Sequence, residues 1–267
     1  MDIVAGALAS GLVDEHQALV ITGTWSINEV ISTDPELEND VFLTDVYPIP
    51  GTWLILEGSP NGVRNLDWYI RNVVRKYLEL FGDRKLSDSE VFELCEQMIH
   101  DFTPDVEDPF FLPFVNGTSI IPGGRAGFVG ITNYHDIRHM VRAVYEGVIF
   151  SHMHHIKQLG GYIDLEDHVR FTGGAANSRM WAQMFADAIG LPLDIVDAEE
   201  AGTLGSAICS AVAAGLHPDI ETAIKEMAGT TRETVHPNPE FAELFQRRFA
   251  RFSEYLVAQG SDMQTSN

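Results

Sequence analysis

FTGGAANSRMWAQMFADAIG (171–190) decides how this chain is read. Val169 and Phe171 mark the end of an apolar strand, which breaks at Gly173-Gly174-Ala175 and restarts as a helix capped by Asn177 or Ser178. Apolar pairs at 180/181, 184/185 and 188/189 give that helix a buried face. With two successive side chains missing, a flat ring can lie against the backbone while Asn177 offers its amide. A glycine-rich turn in any doubly wound protein has the same spacing, so spacing alone leaves the two readings level.

Outward from this stretch lie two similar corners. In AGFVGITNYHDIRHMVRAVYE (126–146), Gly127 and Gly130 bracket two apolar residues, and Thr132 or Asn133 can cap a helix beginning at 134. The face of that helix formed by Ile137, Val141, Val144 and Val148 is core rather than site. In ITGTWSIN (21–28), Gly23 permits close approach of a ligand, and Thr24 offers both N–H and hydroxyl to a phosphate oxygen. Gly-Thr is also common in plain hairpin turns. Two glycine corners feeding helices in one domain, at 126–146 and 171–190, are a means of presenting bare backbone N–H groups to phosphates.

VITGTWSINEVI (20–31) reads as two strands around a tight turn, and TDVYPIPGTWLILEG (44–58) continues the sheet. After the breaker cluster GSPNG (58–62), apolar residues at 66, 69, 70, 73, 74, 78 and 81 predict a helix ending at Gly82 as its C-cap. Ser87 and Glu90 form a capping box for a second helix. FFLPFV (110–115) reads as a strand followed by an ordered loop. Helices follow at 134–159, 177–190, 202–215, 218–228 and 238–258, with strands near 168–172 and 192–196. Strands lead and strand–helix alternation follows, so the class is α/β, with one domain over 1–258 and a flexible tail at 259–267.

The 267 residues carry a net charge of −22, which leaves no basic face for nucleic acid. No apolar run reaches the roughly 18 residues of a membrane span, and MDIVAGALASGLVDE (1–15) lacks the basic start of a signal peptide. Cys95 and Cys209, far apart, fit a reducing cytoplasm. Gly202, Gly205, Ala207 and Ala211 in DAEEAGTLGSAICSAVAAG (197–215) allow close helix packing, with Glu199 and Glu200 supplying charge at its amino end. His135 and His139 share a helix face, but no glutamate stands between them as in a zinc HExxH helix; His152, His154 and His155 point in different directions, so no metal site is expected from histidine. Asp2, at the second position, reads on its own as a solvated end.

Together these segments resemble the carboxy-terminal half of an FGGY-family carbohydrate kinase. The second family signature is a small residue, a hydrophobic and a glycine, then, one helix start later, a polar–hydrophobic pair and a closing acid. AGFVGI followed by HMVRAVYE, from His139 to Glu146, satisfies it at every position. ITGTW resembles the second phosphate motif of the family, TGGAANSRMWAQMFADAIGLPL its adenosine motif, and EEAGTLGSAICSAVAAG the small-residue helix that follows. The likeness spans residues 1–257, and within the family looks most similar to the L-xylulose kinase branch.

The resemblance implies a ribonuclease-H-like, actin-like ATPase lobe that binds ATP with Mg²⁺ for phosphorylation of a ketopentose or related keto-sugar acid. Gly173, Gly174, Ala175 and Asn177 would hold adenine and ribose; Gly23, Thr24 and Gly130 would contact phosphates. MDIVAGALASGL (1–12) matches from its aspartate onward the segment whose carboxylate takes the proton of the attacking hydroxyl, which makes Asp2 the catalytic base. Family members are far longer. Their amino-terminal lobe, with its Asp-x-Gly-Thr motif, metal-binding acid and most sugar contacts, is not in this sequence, so the expected partner is that lobe and the fragment alone is expected to be inactive; association into a homodimer stays open. The rival readings are an actin-like ATPase lobe of another branch and a non-catalytic interaction module whose glycines serve packing.

Overall fold

The computed structural model describes residues 2–35, 41–81, 86–100, 102–160, 168–198 and 200–264. Its strands are β1 (Leu19–Thr22), β2 (Ser26–Ser32), β3 (Leu43–Val46), β4 (Trp53–Ser59), β5 (Phe110–Leu112), β6 (Gly127–Val129), β7 (Val169–Gly173), β8 (Leu193–Val196) and β9 (Thr231–Val235). The helices are α1 (Asp2–Ala9), α2 (Arg64–Tyr69), α3 (Arg75–Phe81), α4 (Asp88–His100), α5 (Ile137–Leu159), α6 (Arg179–Ile189), α7 (Ala201–Ala213), α8 (Ile220–Met227) and α9 (Pro239–Gln264). A π-helical turn, Ile70–Val74, joins α2 to α3, so the periodic stretch after residue 63 folds as expected but underwound in its middle. The Gly82 C-cap and Glu199 lie outside the described residues.

Seven strands form one sheet in the order β3-β4-β2-β1-β7-β8-β9, while β5 and β6 pair separately. β1 and β2 make the expected hairpin, with Thr22 opposite Ser26. β1, β7 and β8 run parallel at the centre, and antiparallel strands flank them. Parallel neighbours need crossovers, which α5 and α6 supply. The α/β expectation holds. β9 was not foreseen, because Thr231–Val235 is a short edge strand in which Val235 alone is buried.

Side-chain alternation divides the sheet between two cores. Val20, Val30, Ile55, Val169, Phe171, Leu193 and Ile195 face one core, shared with α5, α6 and α9. Leu19, Ile31 and Leu54 face the other, beneath α1, α7 and α8. α7 can lie against α1 because residue 205 is glycine: a Cβ there would run into the carbonyl of Ala5. Gly202 meets open space and Ala207 is exposed, so close packing falls to Gly205 and Ala211 rather than to all four small residues.

Caps set the helix starts. The α5 helix begins at Ile137, not 134, and neither Thr132 nor Asn133 caps it. Asp136 does, accepting the N–H of Arg138 at 2.9 Å while its own N–H reaches His139 Nδ1 at 3.0 Å. Thr132 is spent on a tight turn, its N–H donating to His135 Nδ1. For α6 the cap is Ser178, which accepts the Trp181 N–H at 3.1 Å, and Gly190 closes the helix at φ 79°. Ser87 and Glu90 form their reciprocal box at the start of α4. α9 runs on to Gln264, into the segment expected to be a flexible tail. Among the described residues, no helix is long and apolar enough to cross a membrane.

Candidate functional site

The parallel pairing of β1 with β7 sets Thr22 opposite Gly173, so two of the glycine corners leave the sheet side by side at the carboxyl end of its central strands. In open α/β sheets that end is where ligands bind. Gly173 takes φ 97°, and a Cβ there would stand 2.6 Å from the Thr22 carbonyl oxygen. The missing side chain is therefore demanded by packing on β1 as well as by the turn. Thr22 Oγ1 donates to the Thr172 carbonyl at 2.9 Å and accepts the Ala175 N–H at 3.0 Å. Ala175 is fully buried, with its N–H already engaged. The turn Gly174–Asn177 that follows is a single 3-10 helical turn.

Gly23 and Thr24 differ from Ala175 in this respect. Among the described residues the N–H of neither is donated to a protein group. The Gly23 carbonyl accepts the Val63 N–H at 3.0 Å, which brings the start of α2 against the hairpin turn. Gly62 cannot carry a side chain, since a Cβ would enter the Gly23 carbonyl, and Val63 also lies beside Gly174, 3.5 Å from where its Cβ would be. Gly62 and Val63 thus belong to the same corner. In the sequence Gly62 showed only as part of a breaker cluster, and Val63 lay just outside it.

Beside the Gly173 turn is a recess of about 630 Å³ lined by Thr172, Gly173, Ala176, Asn177, Asp197 and Arg232, among others. Arg232, on the unforeseen β9, ties this wall together: its Nη2 donates to the Ala176 carbonyl at 2.8 Å, and Nη1 lies 3.3 Å from Asp197 Oδ1. Asn177 is exposed, and its side chain makes no hydrogen bond among the described residues. Its amide is open to a ligand.

Asp2 approaches the same edge from the opposite face of the sheet. The carboxyl end of α1 is held at the beginning of β7, where the Arg170 guanidinium donates to the Ser10 carbonyl. Gly6, half-way along α1, sits over Ile21, near the end of β1. Hence α1 runs antiparallel to β1 and β7. At about 1.5 Å per residue, four further residues carry Asp2 roughly 6 Å past Ile21, towards the corner of Thr22 and Gly23. The carboxylate is exposed, and among the described residues its Oδ1 accepts only the neighbouring Ile3 N–H, at 3.0 Å. α7 starts at this edge too, after Glu200, the one described non-glycine residue with positive φ, at 49°.

Gly130 is not brought to this place. With φ 79° it lines a different recess, near Asp108, Thr132, His135, Arg251 and Tyr255, which shares no residue with the one at Gly173. His152 and His155 serve structure. His152 Nδ1 lies 2.9 Å from Asn28 Oδ1, and His155 bridges Glu57 Oε2 at 3.2 Å and Ser59 Oγ at 3.1 Å inside the core. Among the described residues, no group of three or more His, Cys, Asp or Glu is placed to hold a metal ion.

Comparison with known proteins agrees with this fold. The model of the FGGY family of carbohydrate kinases, C-terminal domain, matches residues 18–214. The L-xylulose/3-keto-L-gulonate kinase of Escherichia coli (strain K12) is 28% identical over 258 residues, covering 96% of this chain and 49% of its own length. The probable L-xylulose kinase of Pasteurella multocida (strain Pm70) gives the same figures, 28% over 258 residues, 96% and 49%. The chain thus spans about half the length of the curated relatives it matches. Among solved structures, the xylulose kinase of Rhodospirillum rubrum superposes with a TM-score of 0.84 at 19% identity, over 96% of this chain and 50% of that one. That likeness fixes the fold: one lobe of the actin-like ATPase, ribonuclease-H-like class.

Proposed function

Since the chain belongs to the FGGY family of carbohydrate kinases and comprises its C-terminal domain, we propose that it is the nucleotide-holding half of an enzyme that transfers the γ-phosphoryl group of ATP to a sugar hydroxyl. The acceptor is a ketopentose such as L-xylulose or xylulose, or a related keto-sugar acid, in keeping with the names of its relatives. ATP as donor puts the reaction in the cytoplasm. The remaining walls of the cleft belong to a second lobe, for which the longer relatives have room.

One observation carries the reading: the unbonded N–H groups of Gly23 and Thr24 stand beside the Gly173–Gly174 turn at the edge that α1 meets with Asp2. Gly173, Gly174 and Asn177 take adenine and ribose, with Ala175 contributing shape, since its N–H is spent on Thr22. Gly23 and Thr24 donate to phosphate oxygens, joined by the Gly62–Val63 corner. Gly130 drops from the ligand set because its recess is elsewhere. Phosphoryl transfer depends mainly on in-line placement and charge neutralisation. Asp2, exposed and without a cationic partner among the described residues, accepts the proton of the sugar hydroxyl as it attacks. Mg²⁺ bound to the triphosphate supplies charge neutralisation. Among the described residues no group of three or more His, Cys, Asp or Glu is placed to hold it.

Titration of the chain with a non-hydrolysable ATP analogue, followed by backbone amide NMR, tests the proposal. Shifts are expected at Gly23, Thr24, Gly174 and Asn177, and none at Gly130. Silence at the first four, or a response confined to Gly130, defeats it. Sugar-stimulated ATP hydrolysis in a polypeptide carrying both lobes separates a sugar kinase from another actin-like ATPase.

A further inference from the structure

Between the carboxyl end of α4, the outer side of α6 and the start of α9 lies a recess of about 510 Å³ that nucleotide binding does not use. Ile99, Phe102, Met180, Met184, Phe241 and Phe245 give it mostly apolar walls, and His100, Arg179, Gln183 and Asp187 line it as well. Arg142 of α5 also lines it, with a side chain only 8% exposed. Nε of Arg142 donates to Glu146 Oε1 at 2.7 Å. The same carboxylate is shared, since its Oε2 receives Nε and Nη2 of Arg248 at 2.9 and 2.6 Å. Two buried guanidinium groups therefore lean on one carboxylate. Among the described residues the two terminal nitrogens of Arg142 have no hydrogen-bond partner, and its guanidinium carbon lies 5.8 Å from the centre of the Phe102 ring.

A guanidinium nine-tenths buried, with donors unspent at the wall of an apolar recess, is a costly arrangement that an anion relieves. The fork of a guanidinium matches a carboxylate in two parallel hydrogen bonds. Asp187 on the same wall selects among anions. Its Oδ1 accepts the Asn238 N–H at 2.7 Å and the Gln183 amide at 2.9 Å. Burial raises this carboxyl above the usual range, while the Asn238 and Gln183 donors and Arg142 act in the other direction. A second negative charge next to it disfavours a dianion such as phosphate; a single charge on an apolar body fits.

We propose that this recess binds a small amphipathic monocarboxylic acid, with an aryl or alkyl chain lying among Met180, Met184 and Phe245 and its carboxylate on the terminal nitrogens of Arg142. Such a ligand joins α4 to α6. Ser178 joins the same two helices at the nucleotide end, where its Oγ donates to Glu96 Oε1 at 2.5 Å.

The test is titration of methyl-labelled methionine in the chain with 4-phenylbutyrate, 4-phenylbutanol, 4-phenylbutylamine and phenyl phosphate. The acid should saturate the Met180 and Met184 methyl signals at least tenfold more tightly than the other three. Arg142→Lys, which keeps the charge and loses the fork, should weaken the acid alone. Met184→Trp, which fills the space without touching the ion pairs, should abolish the response at Met180. Equal affinity for acid, alcohol and amine, a preference for the amine or the phosphate, or an acid that moves neither methyl signal overturns the proposal.

Discussion

Thr22 holds the backbone of Ala175: its hydroxyl accepts the Ala175 N–H at 3.0 Å while giving its own proton to the Thr172 carbonyl at 2.9 Å. A hydroxyl has one proton to give and lone pairs to accept with, and here both functions join the end of β1 to the turn after β7. The distance between the hairpin corner and the glycine turn is thereby fixed before any ligand arrives. Preorganised backbone donors cost no reordering when charge is bound.

Thr22→Val keeps the volume and removes the hydroxyl, leaving a buried N–H without its acceptor. The expected loss is about 1–3 kcal/mol in urea unfolding, together with weaker binding of an ATP analogue. Thr22→Ser should restore most of both. A valine variant as stable and as tight-binding as the parent would show that the hydroxyl does not set the turn.

Gly205 and Gly202 occupy the same helix and predict opposite outcomes. A methyl group at 205 meets the Ala5 carbonyl and pushes α1 from α7, so Gly205→Ala should destabilise by about 1–3 kcal/mol. At 202 nothing lies within 4 Å, and Gly202→Ala should be neutral or stabilising by up to about 1 kcal/mol, as alanine favours helix. Equal effects in thermal unfolding would contradict this account of how α1 is seated.

Where sequence reading succeeded and where it failed follows from range. The Gly173 turn, the β1–β2 hairpin and the Ser87–Glu90 box are local, and their residues announce them within a few positions. The α5 start was misplaced because three polar candidates stood close together, and only Asp136 combined a carboxylate with a histidine placed to complete the box. Gly62, Val63 and Arg232 were missed altogether. Their parts depend on contacts with Gly23, Gly174 and Ala176, which are distant in the chain or paired through an edge strand with little apolar signal. Gly130 borders a recess that shares no residue with the one at Gly173: a positive φ and a glycine-rich surrounding mark a turn, and only the packing tells which recess that turn borders.

Asp2 carries the sharpest functional test. In a polypeptide with both lobes, Asp2→Asn should leave binding of an ATP analogue unchanged and lower kcat by about 10²–10⁴, the usual contribution of a positioned base. Because Asp2 is exposed and caps no packed side chain, stability should not change. Turnover at the parent rate would remove this carboxylate from the mechanism, while a parallel loss of nucleotide binding would mean that α1 positions the phosphates instead.

Stability should also respond to pH in a way that buried groups dictate. Glu29 lies wholly inside the core beneath α1, with neither oxygen hydrogen-bonded among the described residues, and burial pushes its carboxyl from 4.5 up to about 8. Between those values the folded protein holds a proton that the unfolded chain has lost, so this group makes stability fall as pH rises, a penalty complete above about 8. His152 and His154 act in reverse: burial lowers them from 6.5 to about 3 and about 4, so their contribution is full above 6.5 and is lost as pH falls. From 4.5 to 6.5 two histidines outweigh one glutamate; above 6.5 only the glutamate titrates in this set. A maximum near pH 6.5 is expected in denaturant midpoints. Glu29→Gln should be indistinguishable from the parent below pH 4.5 and more stable by on the order of 3 kcal/mol above pH 8, turning the alkaline decline into a plateau. A parent–variant difference that stays constant with pH would mean that Glu29 folds as a carboxylate after all.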